Sequence, residues 1–242
     1  MKIYLAGSGM LPFLKDKFYD FYRLESYHNI NRKEFFCIQE YKNFLLDSGA
    51  FSFLNKCKTK INWDEYIIKY ADFINKYKIK NFFELDIDSI VGIEEVERLR
   101  NKLEKLTSKK CIPVWHKSRG KEYWLSMIKD YDYVAIGGIV TKEIKQKDYK
   151  YFHWLLNEAK KHNCKVHGLG FTNLKALEEY KFYSVDSTSW LSGNRFGAVY
   201  WFNGQTMQKQ SKKEGQRVKT NEAAINNFYQ WVKFSQYAER NL

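Results

Sequence analysis

Two aspartates end apolar, β-type runs: Asp47 in Phe44-Leu45-Leu46-Asp47-Ser48-Gly49-Ala50-Phe51-Ser52, and Asp186 in Tyr183-Ser184-Val185-Asp186-Ser187-Thr188-Ser189-Trp190. A carboxylate in that position leaves the end of a buried strand, where α/β proteins place their chemistry. Other reactive types sit at comparable points. Asp86 and Asp88 close the run from Asn81, and His116 closes the run from Lys110. Gly137 and Gly138 follow Tyr133-Val134-Ala135-Ile136, and His167-Gly168 lie within Lys165 to Phe171. Carboxylates grouped this way bind a metal, act as acid and base, or attack carbon. Glycines at a strand end let a flat ligand approach the backbone. Each feature also has a structural use: an Asp after a strand caps a helix or forms a turn, and a glycine pair makes a tight turn. A buried histidine is often a hydrogen-bonded core group.

The elements that must position these residues alternate. Strands are expected at Lys2 to Ala6, Phe44 to Asp47, Asn81 to Asp88, Lys110 to His116, Tyr133 to Ile139, Lys165 to Phe171 and Tyr183 to Asp186, with Ala198 to Phe202 as an eighth. Helical spacing of apolar residues runs over Trp63 to Tyr77, Ile93 to Leu106, Tyr151 to His162, Asn173 to Tyr180 and Ala223 to Ala238. Asn62 is placed to cap the first of these, and Thr172 or Asn173 the fourth. Strands separated by helices pair in parallel, because parallel pairing needs a crossover. Seven or eight such units in 242 residues predict a (β/α)8 TIM-type barrel forming a single domain over 1–242, with an open doubly wound sheet as the alternative. The first connection, Gly9 to Tyr41, shows no clean helix, and the basic stretch at about 205–220 reads as an exposed loop.

The net charge of +13 favours a polyanionic partner, although a lysine-biased proteome produces the same excess. The cations expected at phosphates are Lys209, Lys212, Lys213, Arg217 and Lys219 in that loop, with Lys117 and Arg119 beyond the fourth strand. Cys37, Cys57, Cys111 and Cys164 include no Cys-x-x-Cys pair, so a zinc module is not expected and the thiols fit a reducing compartment. The start Met1-Lys2-Ile3-Tyr4-Leu5-Ala6-Gly7 lacks a signal-peptide pattern, and no apolar run approaches a membrane span. A cytoplasmic location is expected, with no membrane partner.

Taken in order, these motifs resemble one family. Asp47-Ser48-Gly49-Ala50-Phe51 resembles the Asp-Ser-Gly-Gly-Phe motif of tRNA-guanine transglycosylases. Ile136-Gly137-Gly138-Ile139 is similar to their Gly-Gly-Leu strand end, and Val166-His167-Gly168-Leu169-Gly170 to their His-x-x-Gly-x-Gly-like strand. Ser184-Val185-Asp186-Ser187 resembles the segment carrying their nucleophile, and Leu85-Asp86-Ile87-Asp88 falls where they place the aspartate that reads the base. The resemblance spans about residues 44 to 190. It departs at Ala50, at Ser52 and after Asp186, and the family's Cys/His zinc site has no counterpart. A compact chain without zinc looks more like the phage and bacterial branch that exchanges guanine in DNA for a 7-deazaguanine.

That resemblance implies base exchange at a nucleoside C1′, with Asp186 as nucleophile and Asp47 as general acid/base. It implies Asp86, Asp88, Ser48, His116, Gly137, Gly138, His167 and Gly168 around the base. No metal and no other cofactor is implied. The expected partners are DNA, or alternatively tRNA, and a base such as 7-cyano-7-deazaguanine. The tRNA enzymes commonly dimerise, so a homodimer is among the implied assemblies, in a host cytoplasm if the chain is phage-encoded. Two rival readings stand beside it: the same chemistry on tRNA or a free nucleoside, and a non-catalytic barrel that binds nucleic acid. A barrel glycosidase is more distant, since it leaves the charge without a purpose.

Overall fold

Eight short strands pair side by side, all in parallel: β1 (Lys2–Ala6), β2 (Tyr22–Ser26), β3 (Asn43–Asp47), β4 (Asn81–Phe82), β5 (Val114–Trp115), β6 (Tyr133–Ile136), β7 (Lys165–Gly168) and β8 (Ser184–Ser187). The computed structural model describes residues 1–7, 20–30, 43–49, 51–54, 61–192, 197–210 and 220–242. The strand order is β4-β3-β2-β1-β8-β7-β6-β5. The sheet curls, and a parallel bridge between Phe83 and Ile112 brings its two ends together. Around it lie α1 (Phe51–Leu54), α2 (Trp63–Lys76), α3 (Asp88–Val91), α4 (Ile93–Thr107), α5 (Gly120–Asp130), α6 (Tyr151–Lys161), α7 (Leu174–Leu177) and α8 (Thr220–Asn241).

Side chains alternate across a strand, and the apolar residues sort accordingly. Ile3 and Leu5, Val134 and Ile136, Val166 and Val185 pack in one cluster with Trp124, Leu155, Phe228 and Trp231 of the helices. Phe44, Leu46 and Phe82 pack with Ile67, Tyr70, Leu99 and Leu103 of α2 and α4. The alternate residues Tyr4, Ala6, Leu24, Leu45, Val114 and Ala135 form a separate cluster with Phe83 and Ile112 on the concave face. His167 of β7 lies 5.3 Å from the Phe83 ring across that interior. Parallel strands covered on both faces need continuous apolar runs, which explains why these strands were readable.

Several expectations are corrected. The eight sheet strands include β2, which falls in the first connection, where no strand was expected, and exclude Ala198 to Phe202. That run forms β9 (Val199–Phe202), which pairs antiparallel with β10 (Met207–Gln210) and packs on α8. Buried Asn227 of α8 fixes it: its Oδ1 accepts from Tyr200 N at 2.8 Å, and its Nδ2 donates to Ala198 O at 2.9 Å. Residues 207–210 are thus strand rather than loop. The strands expected over Asn81 to Asp88 and Lys110 to His116 are only two residues each. Pro113 has no N–H to donate, and Val114 N donates at 2.8 Å to the Glu84 carboxylate rather than to a neighbouring carbonyl. The helix α5, burying Trp124, Met127 and Ile128, was not foreseen. Asn62 and Asn173 cap their helices as expected, accepting from Glu65 N and Ala176 N.

Glu84 is fully buried beside Arg100 and Arg119, 3.4 and 3.1 Å away. Burial pushes its carboxyl up, against the pull of the two guanidiniums. Removing one partner of such a cluster strands the others without solvent. Glu84→Ala is expected to cost about 3–5 kcal/mol of stability, read as a lower urea midpoint at constant slope. Glu65→Ala, which removes an exposed pair with Lys69, should barely move the midpoint.

Candidate functional site

The same alternation aims the reactive groups. Leu45 faces the interior, so Asp47 two residues on does too; Val114 does the same for His116, and Ala135 for Gly137. Val185 faces outward, which turns Ser184 and Asp186 inward. Asp47, Asp86, Asp88, His116, Gly137 and Asp186 therefore line a single cavity of about 1650 Å³ at the strand C-terminal ends.

Asp47 ends β3 and accepts a hydrogen bond from Gly49 N at 3.0 Å. Burial pushes its carboxyl up to about 7; the Gly49 N–H opposes this, and the charges of Asp186 and Asp86 add to it. A carboxyl held there exchanges protons near neutrality, which general acid/base catalysis needs.

Asp186 is fixed from behind. Its Oδ1 accepts from Gly170 N at 2.7 Å and lies 3.2 Å from His167 Nε2. His167 is fully buried; its Nδ1 is 2.7 Å from Ser184 Oγ, which is 2.6 Å from the Tyr133 hydroxyl. Through His167 the Tyr133 hydroxyl, Ser184 Oγ and Asp186 are joined in one hydrogen-bonded chain, with Nε2–H donating to Asp186. Asp186 Oδ2 has no hydrogen-bond partner among the described residues, so it is the oxygen offered to the cavity.

Opposite, Asp86 Oδ1 lies 2.6 Å from His116 Nε2, and His116 Nδ1 lies 2.8 Å from Glu143 Oε2. Burial opposes charge on the ring, but the two carboxylates outweigh it and hold His116 up to about 9. Glu143 is held below its ordinary value, because the His116 ring and the Ser118 N–H at 2.9 Å outweigh its own burial. Asp88 Oδ2 accepts from Arg119 Nε at 3.0 Å. Asp86, Asp88 and His116 offer ligand atoms within 4.8 Å of one another, a spacing open to a cation. Asp86 pairs with His116 through Oδ1 and Asp88 with Arg119 through Oδ2, so each enters the cavity as one half of an ion pair.

The expected residues divide. Ser48, His167 and Gly168 do not border the cavity, and His167 acts through Asp186 instead. His116 borders it with both ring nitrogens committed. Arg119 is corrected: its side chain is 3% exposed and bound to Glu84 and Asp88, so it is no phosphate contact. Lys117 stays half exposed, 3.4 Å from Asp148. Lys209 projects from β10 as an exposed residue, 6.0 Å from the Tyr200 ring centre. Lys212, Lys213, Arg217 and Lys219 lie outside the described residues, as do Ala50, Cys37 and Cys57. Sequence reasoning missed Glu143, the Arg23–Glu25 pair lining the cavity wall, and exposed Lys142, Lys145 and Lys147 in the segment that follows cavity residues Val140 and Thr141. Four lysines in the nine residues 142–150, soon after a Gly-Gly strand end, were a visible signal.

The geometry defines a parallel α/β protein with an acidic cavity at its strand ends. No family model matches the chain, and no curated protein is detectably similar to it in sequence. Among the described residues, no helix is long and apolar enough to cross a membrane.

Asp47 sets a pH dependence. Its carboxyl is raised from 3.8 to about 7, so the folded protein holds this proton more tightly than the unfolded chain. The stabilisation is fully present below 3.8 and is lost as pH rises through about 7. Asp47→Asn is expected to flatten that decline in denaturation curves taken across this window. Asp186→Asn should shift the Asp47 midpoint downward in a carboxyl 13C NMR titration, because one repelling charge is gone.

Proposed function

We propose that the chain is a (β/α)8-barrel guanine transglycosylase that replaces guanine in DNA with a 7-deazaguanine. The observation that carries this reading is the convergence of Asp47, Asp86 and Asp186 on one cavity, with Asp47 near neutrality and Asp186 held from behind. Retaining glycosidases divide the same work between two carboxylates. The motif order over residues 44 to 190 supports the choice of base over sugar.

In this mechanism Asp186 Oδ2 attacks C1′ as the C1′–N9 bond breaks, and its electron pair leaves with guanine. Protonated Asp47 supplies the proton to the departing base. The product is a glycosyl ester on Asp186 and an ionised Asp47. The incoming base then loses a proton to Asp47 and attacks C1′, which releases Asp186. Asp86 Oδ2, without a partner among the described residues, accepts from the N–H edge of the base. Gaining C1′ from a stacked strand requires base flipping or a single strand, at a cost of a few kcal/mol. Phosphate contacts at Lys117, Lys142, Lys145 and Lys147 offset that cost.

Incubation with radiolabelled guanine and duplex DNA, single-stranded DNA or tRNA tests the reading. Label is expected in DNA. Label in tRNA alone overturns the choice of polymer, and label in none overturns base exchange. Asp186→Ala should reduce exchange by about 10⁴-fold or more while retaining DNA binding. Replacing Lys142 and Lys147 with Ser should flatten the salt dependence of duplex binding by about 0.9 for each phosphate that is no longer neutralised; an unchanged slope removes this loop from the interface.

A further inference from the structure

His116 is held between two acids that come from different parts of the fold. Asp86 reaches it from the segment between β4 and α3, and Glu143 from the loop after β6; Asp88, at the start of α3, adds its charge without a hydrogen bond. Arg119, in the turn after β5, is the cation on that side, and its guanidinium is taken by Asp88 and Glu84. Carboxylates accept, so both ring nitrogens donate. The glycine pair is shaped around this arrangement. A Cβ at Gly137 would come within 2.8 Å of His116 Cε1 and Nε2. At Gly138, where φ is +78°, it would come within 2.8 Å of Glu143 Oε2. Each glycine thus makes room for one member of the chain Glu143–His116–Asp86, a use for Gly137-Gly138 independent of any contact to a base.

We propose that His116 and Glu143 are positioning residues: Glu143 orients a doubly protonated His116, which binds Asp86 Oδ1 and presents Oδ2 to the cavity as the fixed acceptor for an N–H donor edge. The acceptor role rests on the base-exchange reading; the Glu143–His116–Asp86 relay does not. Its consequence is that the Asp86 contact adds no pH dependence of its own across neutrality, because both ring nitrogens stay bound between carboxylates.

Glu143→Gln tests this, because glutamine keeps the shape and the acceptor but removes the charge. In an imidazole 13C and 15N NMR titration, the His116 midpoint is expected to fall by about one unit or more. Asp86→Asn should move it in the same direction, which guards against a variant that fails to fold. In exchange assays from pH 6 to 8, the readout is KM for guanine in the variant divided by that of the wild type, which cancels the titration of Asp47 common to both. In Glu143→Gln that ratio should rise about twofold or more by pH 8, where a midpoint of about 8 leaves half of the rings neutral, with the change in KM rather than in kcat. A His116 midpoint unmoved in both variants overturns the relay, even where exchange is robust. A KM raised equally at every pH overturns it as well, since that is what a merely structural residue would do. A shifted midpoint without exchange on any polymer upholds the relay and overturns base exchange, so the two failures are distinguishable.

Discussion

Carboxylates gathered in one cavity repel one another, and the rest of this site follows from how that repulsion is contained. Asp86 is held by the imidazolium of His116, and Asp88 by the guanidinium of Arg119. Asp186 takes a backbone N–H and the buried ring of His167. Asp47 has the Gly49 N–H but, among the described residues, no cation. Burial raises Asp47 most, the charges of Asp186 and Asp86 add to it, and Asp47 answers by keeping its proton. Chemically similar acids acquire different roles from what stands behind each of them. Asp86 and Asp88 sit against cations, Asp186 takes its hydrogen bonds on Oδ1 and leaves Oδ2 to the cavity, and Asp47 carries the proton.

What could be read in the sequence was set by how much each element depends on partners far along the chain. Phe44 to Asp47 and Tyr133 to Ile136 are covered on both faces, so their apolar runs identify them without further context. Tyr22-Arg23-Leu24-Glu25-Ser26 carries charges at alternate positions and reads as an exposed stretch, yet Arg23 and Glu25 are buried by pairing with each other. Ala198 to Phe202 is as apolar as a barrel strand. Only the Asn227 side chain on α8 and the polar strand β10 make it a hairpin. The period of α5 was present in Trp124, Met127 and Ile128 but passed unread.

The site divides along the same line. Asp47 and Asp186 were legible because a strand end fixes the direction of a side chain two residues after a known inward one. Glu143 lies in an irregular loop with no period, so nothing local aims it at His116. Arg119 after β5 looks in sequence like any surface cation. Its burial depends on Glu84, thirty-five residues away, and that contact exists only once both strands are placed.

Glu84 also ties the cavity to the sheet. Where the two ends of the strand order meet, Phe82 and Glu84 share backbone hydrogen bonds with Ile112. The next N–H along, that of Val114, is satisfied by the Glu84 carboxylate at 2.8 Å. The same oxygen accepts from Arg119 Nη1 at 3.1 Å, and Arg119 in turn holds Asp88 at the cavity wall. One buried carboxylate thus completes the junction of β4 with β5 and anchors the cation that restrains a site acid. A loosened junction would free Arg119 and with it Asp88, while His116, two residues beyond Val114, would lose its register against Asp86. Burying a charge here is costly, and the return is that the acids on this wall are correctly placed only when the two ends of the sheet are joined.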